Sequence, residues 1–236
     1  MAAGIAERPK AAMLVYPGMI LLDLNGPQTV LSLAMFDILL VWKDLTPVKT
    51  DVGIFVQPTH TFATCPAKVD VLFVPGGLGG TTACLSDSEI TTFLKKQGDA
   101  AGFVTSVCTG SLLLGAAGLL QGYRATSHWY VRDLLPMLGA ITTPGRVVED
   151  RNRITAGGVT AGMDFGLTLV ARMLGEERAR AIQLLLEYDP QSPFDAGSPE
   201  GAGPELTAEI LRRRAPAIDP ARIAVQAAGK RLGVAS

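Results

Sequence analysis

Val104-Thr105-Ser106-Val107-Cys108-Thr109-Gly110-Ser111 joins an apolar, β-branched run, Gly102 to Val107, to a stretch of helical spacing from Cys108 to Leu120. Small residues, Ser106 and Gly110, stand two positions away on either side of the cysteine. A sharp strand-to-helix turn needs such neighbours, because larger ones collide at the bend. The turn presents its apical residue at the C-terminal edge of the sheet, where open α/β sheets place their active sites. The stretch therefore predicts an α/β sheet and a nucleophile elbow at Cys108. N–H groups at the start of the following helix favour negative charge, so the thiol pKa is expected to be lowered and the sulfur reactive. For a cysteine taken in isolation, the competing reading is a small, inert core residue.

Moving outward, the chain alternates strands and helices. Ala11 to Tyr16 reads as a buried strand closed by Pro17-Gly18, and Gly26 to Phe36 as a helix with Pro27 in its first turn. Strands are expected at Leu39 to Trp42 and Val69 to Val74, with a short extended piece at Val52 to Val56 and a helix over Glu89 to Gly98. Arg124 to Ser127 reads as a short strand and Trp129 to Leu138 as helical. Arg146 to Glu149 and Arg153 to Ala156 are spaced to pair as a hairpin across Asp150-Arg151-Asn152. Thr160 to Leu174 and Glu176 to Tyr188 are amphipathic helices. This alternation indicates a mostly parallel sheet covered on both faces. Pro190 to Pro204 is rich in Pro, Gly and Ser and reads as a loop, and Glu205 to Ser236 as a basic, alanine-rich helical tail. The division expected is an α/β domain over residues 1–198 and a C-terminal helical appendage of the same domain over 199–236.

Two further segments follow strands and face the same edge as Cys108. Asp23 lies in Leu22-Asp23-Leu24-Asn25-Gly26-Pro27, read as the loop between the first strand and its helix. It is either a proton carrier for the thiol or an exposed loop carboxylate capping the helix. Pro75-Gly76-Gly77-Leu78-Gly79-Gly80 lacks the Gly-Lys-Ser/Thr ending of a P-loop and the spacing of a dinucleotide fingerprint. It is a plain tight turn, or an oxyanion hole in which a glycine N–H joins an N–H near the cysteine.

The 236 residues are 48% hydrophobic and 18% charged, with a net charge of −1. Such a chain buries a core and is not drawn electrostatically to nucleic acid or to anionic membranes. No apolar run reaches the length of a membrane span, and the short polar N-terminus lacks the apolar stretch of a signal peptide. A cytoplasmic location is expected. The three cysteines, Cys65, Cys84 and Cys108, form no C-x-x-C pair, and only His60 and His128 are available as imidazole ligands, so no metal site is expected. Cys65 lies in a loop and Cys84 in a polar turn; both read as incidental.

Taken together, Leu22 to Pro27, Asp70 to Gly77, Ser106 to Ser111, Ala125 to Trp129 and Thr155 to Asp164 resemble the DJ-1/PfpI superfamily. Asp rather than Glu at position 23 makes the chain most similar to the isocyanide hydratase branch. The resemblance runs from about Ala11 to Ser198. It implies a flavodoxin-like sandwich, a homodimer and no cofactor. It also implies that Cys108 is the nucleophile and Asp23 the general acid/base. Gly77 and Thr109 would bind the polar end of the substrate, with Gly157 and Val159 close to the cysteine. His128 stands where relatives carry a histidine near their cysteine, as a secondary partner or a structural residue. Asn25 departs from the branch, where Thr is expected.

The implied reaction is hydration of an isocyanide to an N-formamide through a covalent thioimidate. Two rivals use the same cysteine: glyoxalase- or deglycase-like chemistry on 2-oxoaldehydes, and a thiol redox sensor. A transcription regulator of the AraC type is a third, but about thirty residues after Glu205 are too few for its paired helix-turn-helix module.

Overall fold

A computed structural model describes residues 7–234. Residues 1–6 of the polar N-terminus and the last two of the expected tail lie outside the described residues. The elements run β1 Lys10–Leu14, α1 Leu21–Leu33, β2 Asp37–Trp42, β3 Val48–Lys49, β4 Phe55–Val56, β5 His60–Thr61, β6 Val71–Val74, α2 Leu78–Cys84, α3 Ser88–Ala100, β7 Phe103–Val107, α4 Gly110–Ala116, β8 Arg124–Ala125, β9 Ile141–Thr142, β10 Val147–Asp150, β11 Arg153–Ala156, α5 Ala161–Leu174, α6 Glu176–Leu185 and α7 Pro199–Arg231. The helical segment expected over Trp129 to Leu138 is a 3-10 helix, Arg132–Leu138, with Pro136, which has no backbone N–H to donate, inside it.

Seven strands form one sheet in the order β10-β11-β7-β6-β1-β2-β5. All neighbours are parallel except the β10–β11 hairpin, as expected from its sequence. Central β6 is buried along its whole length, and β1 and β7 are buried apart from their first residues. Continuous burial of this kind requires cover on both faces. One layer is α1, α5 and α6; the other is α2, α3, α4, the 3-10 helix and α7. Phe73 and Phe165 stack with ring centroids 5.5 Å apart, joining sheet to helix layer within the core. No helix among the described residues is long and apolar enough to cross a membrane.

Several boundaries differ from the sequence reading. Helix α1 begins at Leu21 rather than Gly26, so Asp23 sits in its first turn and not in a loop. The earlier start is held by Asp51, whose Oδ1 accepts the Leu21 N–H at 2.9 Å from the loop opposite. Pro27 therefore lies within the helix, where its ring removes the bond to the Asp23 carbonyl. The glycine-rich loop is shorter than expected, because Leu78 to Cys84 is helical; Cys84 is buried rather than in a polar turn. Helix α4 starts only at Gly110, leaving Cys108 outside it.

The segment read as a loop up to Pro204 becomes helical at Pro199, with Ser198 as N-cap and a kink at Gly203 (φ 78°) ahead of Pro204. Beyond the kink, α7 buries Ile218, Ala221, Val225 and Ala228 against the domain. Arg222 pairs with Asp133 at 2.8 Å, and Arg231 donates to the Leu85 carbonyl at 2.9 Å. We propose that this appendage folds with residues 1–198 as one cooperative unit. Val225→Ala is then expected to cost about 1–3 kcal/mol and to lower the midpoint of a single calorimetric transition; two separated transitions would reject the proposal.

Candidate active site

Cys108 has φ 56°, a left-handed conformation that costs a side chain-bearing residue roughly 1–2 kcal/mol. The surroundings hold it there. Its N–H is shared between the carbonyls of Ala156 at 3.1 Å and Gly157 at 2.8 Å. Its carbonyl accepts the Ser127 hydroxyl at 3.0 Å and the Ser111 hydroxyl at 3.3 Å. The requirement for a small neighbour is severe at Gly110, where a Cβ would stand 2.2 Å from the Val74 carbonyl oxygen. The elbow expected from the sequence is formed.

Asp23 and Cys108 meet beneath the Pro75–Gly77 loop. A Cβ placed on Gly76 would lie 2.6 Å from the Cys108 Cβ, 2.6 Å from the Thr109 nitrogen and 2.7 Å from Asp23 Oδ2. The missing side chain of Gly76 is thus the space in which thiol and carboxyl face each other. Its N–H donates to Asp23 Oδ2 at 2.8 Å. The other carboxyl oxygen, Oδ1, is buried and has no hydrogen-bond partner among the described residues; the Cys108 thiol lies close enough to this carboxyl to bear on its acidity.

Both groups are fully buried, and burial dominates their acidity. It raises the Asp23 pKa to about 7, against the Gly76 N–H and the thiol, which favour the ionised form. It pushes the Cys108 pKa well above its ordinary value, reinforced by the negative charge of Asp23 and opposed by the Thr109 N–H. The expectation of a lowered thiol pKa is corrected here. The local N–H does favour a thiolate, but loss of solvation and the adjacent carboxylate outweigh it.

The Gly77 expectation also changes. Gly77 has φ 135°, and a Cβ there would lie 2.5 Å from the Gly18 carbonyl oxygen. Its N–H is not free for a ligand, because it donates to Thr109 Oγ1 at 2.9 Å. Thr109 Oγ1 lies 2.7 Å from Thr81 Oγ1, which lies 3.0 Å from the Tyr16 hydroxyl. Tyr16 spends its own hydrogen on the Pro75 carbonyl at 2.8 Å. Thr81 must therefore donate to Tyr16, and Thr109 to Thr81. This buried chain fixes the loop over the cysteine. The N–H groups of Gly76, Gly77 and Cys108 are all engaged, so none of these three serves the oxyanion hole considered from the sequence; the Thr109 N–H acts on the sulfur.

Gly157 meets Cys108 through its carbonyl, while half-buried Val159 lines a surface cleft with Gly157, Gly158 and His128. His128 does not pair with Cys108. Its ring lies 3.9 Å from that of Tyr130, its buried Nδ1 has no partner among the described residues, and burial lowers its pKa to about 4. It is neutral at pH 7, and Ser127, one residue earlier, makes the contact to the elbow. Sequence reasoning missed Tyr16 and Thr81, which carry no motif, passed over Ser127 for its neighbour His128 within Ala125 to Trp129, and chose Gly77 where Gly76 is closer. The Gly76-Gly77 doublet was the available signal. Among the described residues no cluster of three or more His, Cys, Asp or Glu is arranged to hold a metal ion.

The comparisons with known proteins agree with this architecture. The chain is 50% identical to an isonitrile hydratase of Pseudomonas putida over 206 residues, covering 87% of this chain and 90% of that protein. A crystal structure of a ThiJ/PfpI family protein from Pseudomonas syringae superposes with a TM-score of 0.90 at 48% identity, over 93% of this chain and 91% of the other. Oxidised DJ-1 of Toxoplasma gondii shares the fold, with a TM-score of 0.70 at 22% identity over 77% of this chain and 100% of the other. The DJ-1/PfpI family model matches residues 9–172, and with the elbow, the sheet order and these similarities in view the chain belongs to the DJ-1/PfpI family.

Proposed function

We propose that this protein hydrates isocyanides, R–NC, to N-formamides, R–NH–CHO, with Cys108 as nucleophile, Asp23 as proton carrier and no cofactor. The observation that carries the reading is a buried thiol–carboxyl pair beside which the N–H groups of Gly76, Gly77 and Cys108 are already engaged, leaving the Thr109 N–H at the sulfur. Acyl-type chemistry places charge on an oxygen and needs free donors for it. An isocyanide accepts the nucleophile at a terminal carbon and makes no such demand. The 50% identity to an isonitrile hydratase supports the same choice.

The reactive enzyme holds one proton over the pair, written as thiol plus carboxylate. Asp23 takes the thiol proton as sulfur bonds to the isocyanide carbon, then delivers it to that carbon. The product is the thioimidate R–N=CH–S–Cys108, and Asp23 is a carboxylate again. A water then adds its oxygen to the same carbon while Asp23 takes one of its protons and passes it to the nitrogen. The C–S bond breaks, the carbonyl forms, and the remaining water proton returns through Asp23 to the sulfur. Two modest additions replace one difficult one. A carboxyl pKa of about 7 suits a group that must act as base and acid in turn. Gly157, Val159 and Thr109 shape the approach to the sulfur, Thr109 through its N–H, and His128 contributes as a neutral wall.

We also propose that the protein acts as a homodimer in the cytoplasm. Exposed Leu22, Leu184 and Leu185 on α1 and α6 belong to one helix layer and offer an apolar face to a second copy. A free thiol is kept reduced in that compartment.

Cys108→Ala is expected to abolish formamide production from phenyl isocyanide, and Asp23→Asn to reduce kcat/KM by about 100-fold or more. Turnover surviving in Cys108→Ala would end the proposal, and turnover of methylglyoxal in place of the isocyanide would favour the 2-oxoaldehyde reading. Protonation of Asp23 removes the base while the thiol is still protonated. The wild-type kcat/KM should therefore fall as pH drops below about 7 and stay level up to about 9. A profile flat from pH 5 to 9 would remove Asp23 from its role. Gly76→Ala, which drives a methyl between the two groups, should lose at least about 100-fold in kcat/KM, with the fold retained by circular dichroism; wild-type rates in that variant would contradict the site geometry.

A further inference from the structure

Beside the elbow lies a cleft of about 360 Å3 between Trp129–Tyr130 and the first turns of α7 beyond its kink. Its volume is that of a small-molecule site. Leu206 and Ile210 supply apolar wall from α7, facing Trp129. Ser127, next to His128 of the cleft wall, is bonded to the Cys108 carbonyl, and the pKa of Tyr130 in the same wall, raised first by burial, is raised further by the negative charge of Cys108 and Asp23.

The charge in this cleft is one-sided. Arg212 and Arg213 both pair with Glu209 on the outer side of the helix. Arg214 instead turns to the cleft and sits 5.5 Å over the Tyr130 ring. It has no carboxylate partner among the described residues, and no acidic residue lines the cleft. Neutral His128 also lines the cleft, and its buried Nδ1 is without a partner among the described residues. Apolar walls, one guanidinium and one unsatisfied imidazole nitrogen describe a receptor for an apolar or aromatic body ending in an anion, which an arginine fork binds with two parallel hydrogen bonds.

We propose that this cleft receives the R group of the substrate and that Arg214 pairs with a carboxylate carried by it, so that the preferred substrates are anionic aryl or alkyl isocyanides. The proposal rests on the hydratase reading for the word isocyanide, but not for the cleft. Two measurements separate them. The first compares kcat/KM for 4-isocyanobenzoate and phenyl isocyanide in wild type and Arg214→Met. The expected wild-type preference for the carboxylate is at least about tenfold, falling to about one in the variant. The second titrates 4-formamidobenzoate and formanilide in a Trp42→Phe background, where Trp129 in the cleft wall is the sole tryptophan reporter. The same ratio of dissociation constants, and the same collapse in Arg214→Met, are expected. A binding preference without turnover of either isocyanide upholds the cleft and overturns the hydratase reading. Equal binding of the two formamides, or a preference that survives Arg214→Met, overturns the cleft.

Discussion

The left-handed backbone of Cys108 is the constraint on which the site depends. At φ 56° the chain reverses from β7 into α4 within two residues, and the side chain is thrown toward the loops that follow β1 and β6. The conformation persists because both peptide groups of the cysteine are anchored by hydrogen bonds, most of them from outside the elbow. Its N–H is held by the end of β11 and its carbonyl by the Ser127 and Ser111 hydroxyls. Parallel pairing of β7 with both β6 and β11 brings those anchors into range. Sheet order and nucleophile position are therefore one fact, and strain at the apex is balanced by hydrogen bonds that only this order of strands supplies.

The same burial that packs the elbow determines its protonation. Two acidic groups are placed in a site that solvates neither charge well, so the site favours their neutral forms. The Gly76 N–H fixed on the carboxyl works against burial and favours its ionised form. The two are then linked titrations, and the proton they exchange belongs to the pair rather than to either residue. His128 cannot substitute for Asp23 in this scheme: its pKa of about 4 leaves it neutral, and its ring packs at a tilt against Tyr130 rather than being bonded to sulfur.

Much of this was legible in the sequence, for identifiable reasons. The elbow announces itself because its steric demand falls on the neighbours, Ser106 and Gly110, as well as on the cysteine. The parallel sheet follows from the continuous apolar runs of β1, β6 and β7, which a half-exposed strand does not carry. The start of α1 was not legible, because it is set by Asp51, thirty positions away, capping Leu21. Acidity was misread for a related reason. A helix N-terminus is visible locally, whereas the desolvation that overrides it comes from loops distant in sequence. Gly76 and Gly77 look alike on the page. Their roles part only in space, where one bounds the thiol–carboxyl gap and the other is bonded to Thr109.

Burial and protonation also bear on the redox-sensor reading of the cysteine. Oxidation of a thiol follows its thiolate fraction and its exposure to the oxidant. Cys108 is fully buried and its pKa is raised, so at rest it scores low on both. A nucleophile under these conditions becomes effective only when the electrophile is already in contact with the sulfur and Asp23 can take the proton in the same step. That arrangement favours chemistry on a bound substrate over a freely accessible sensor. It also explains why the carboxyl is held on a fixed backbone N–H: the thiol is activated by a neighbour at the moment of attack, not by its resting pKa.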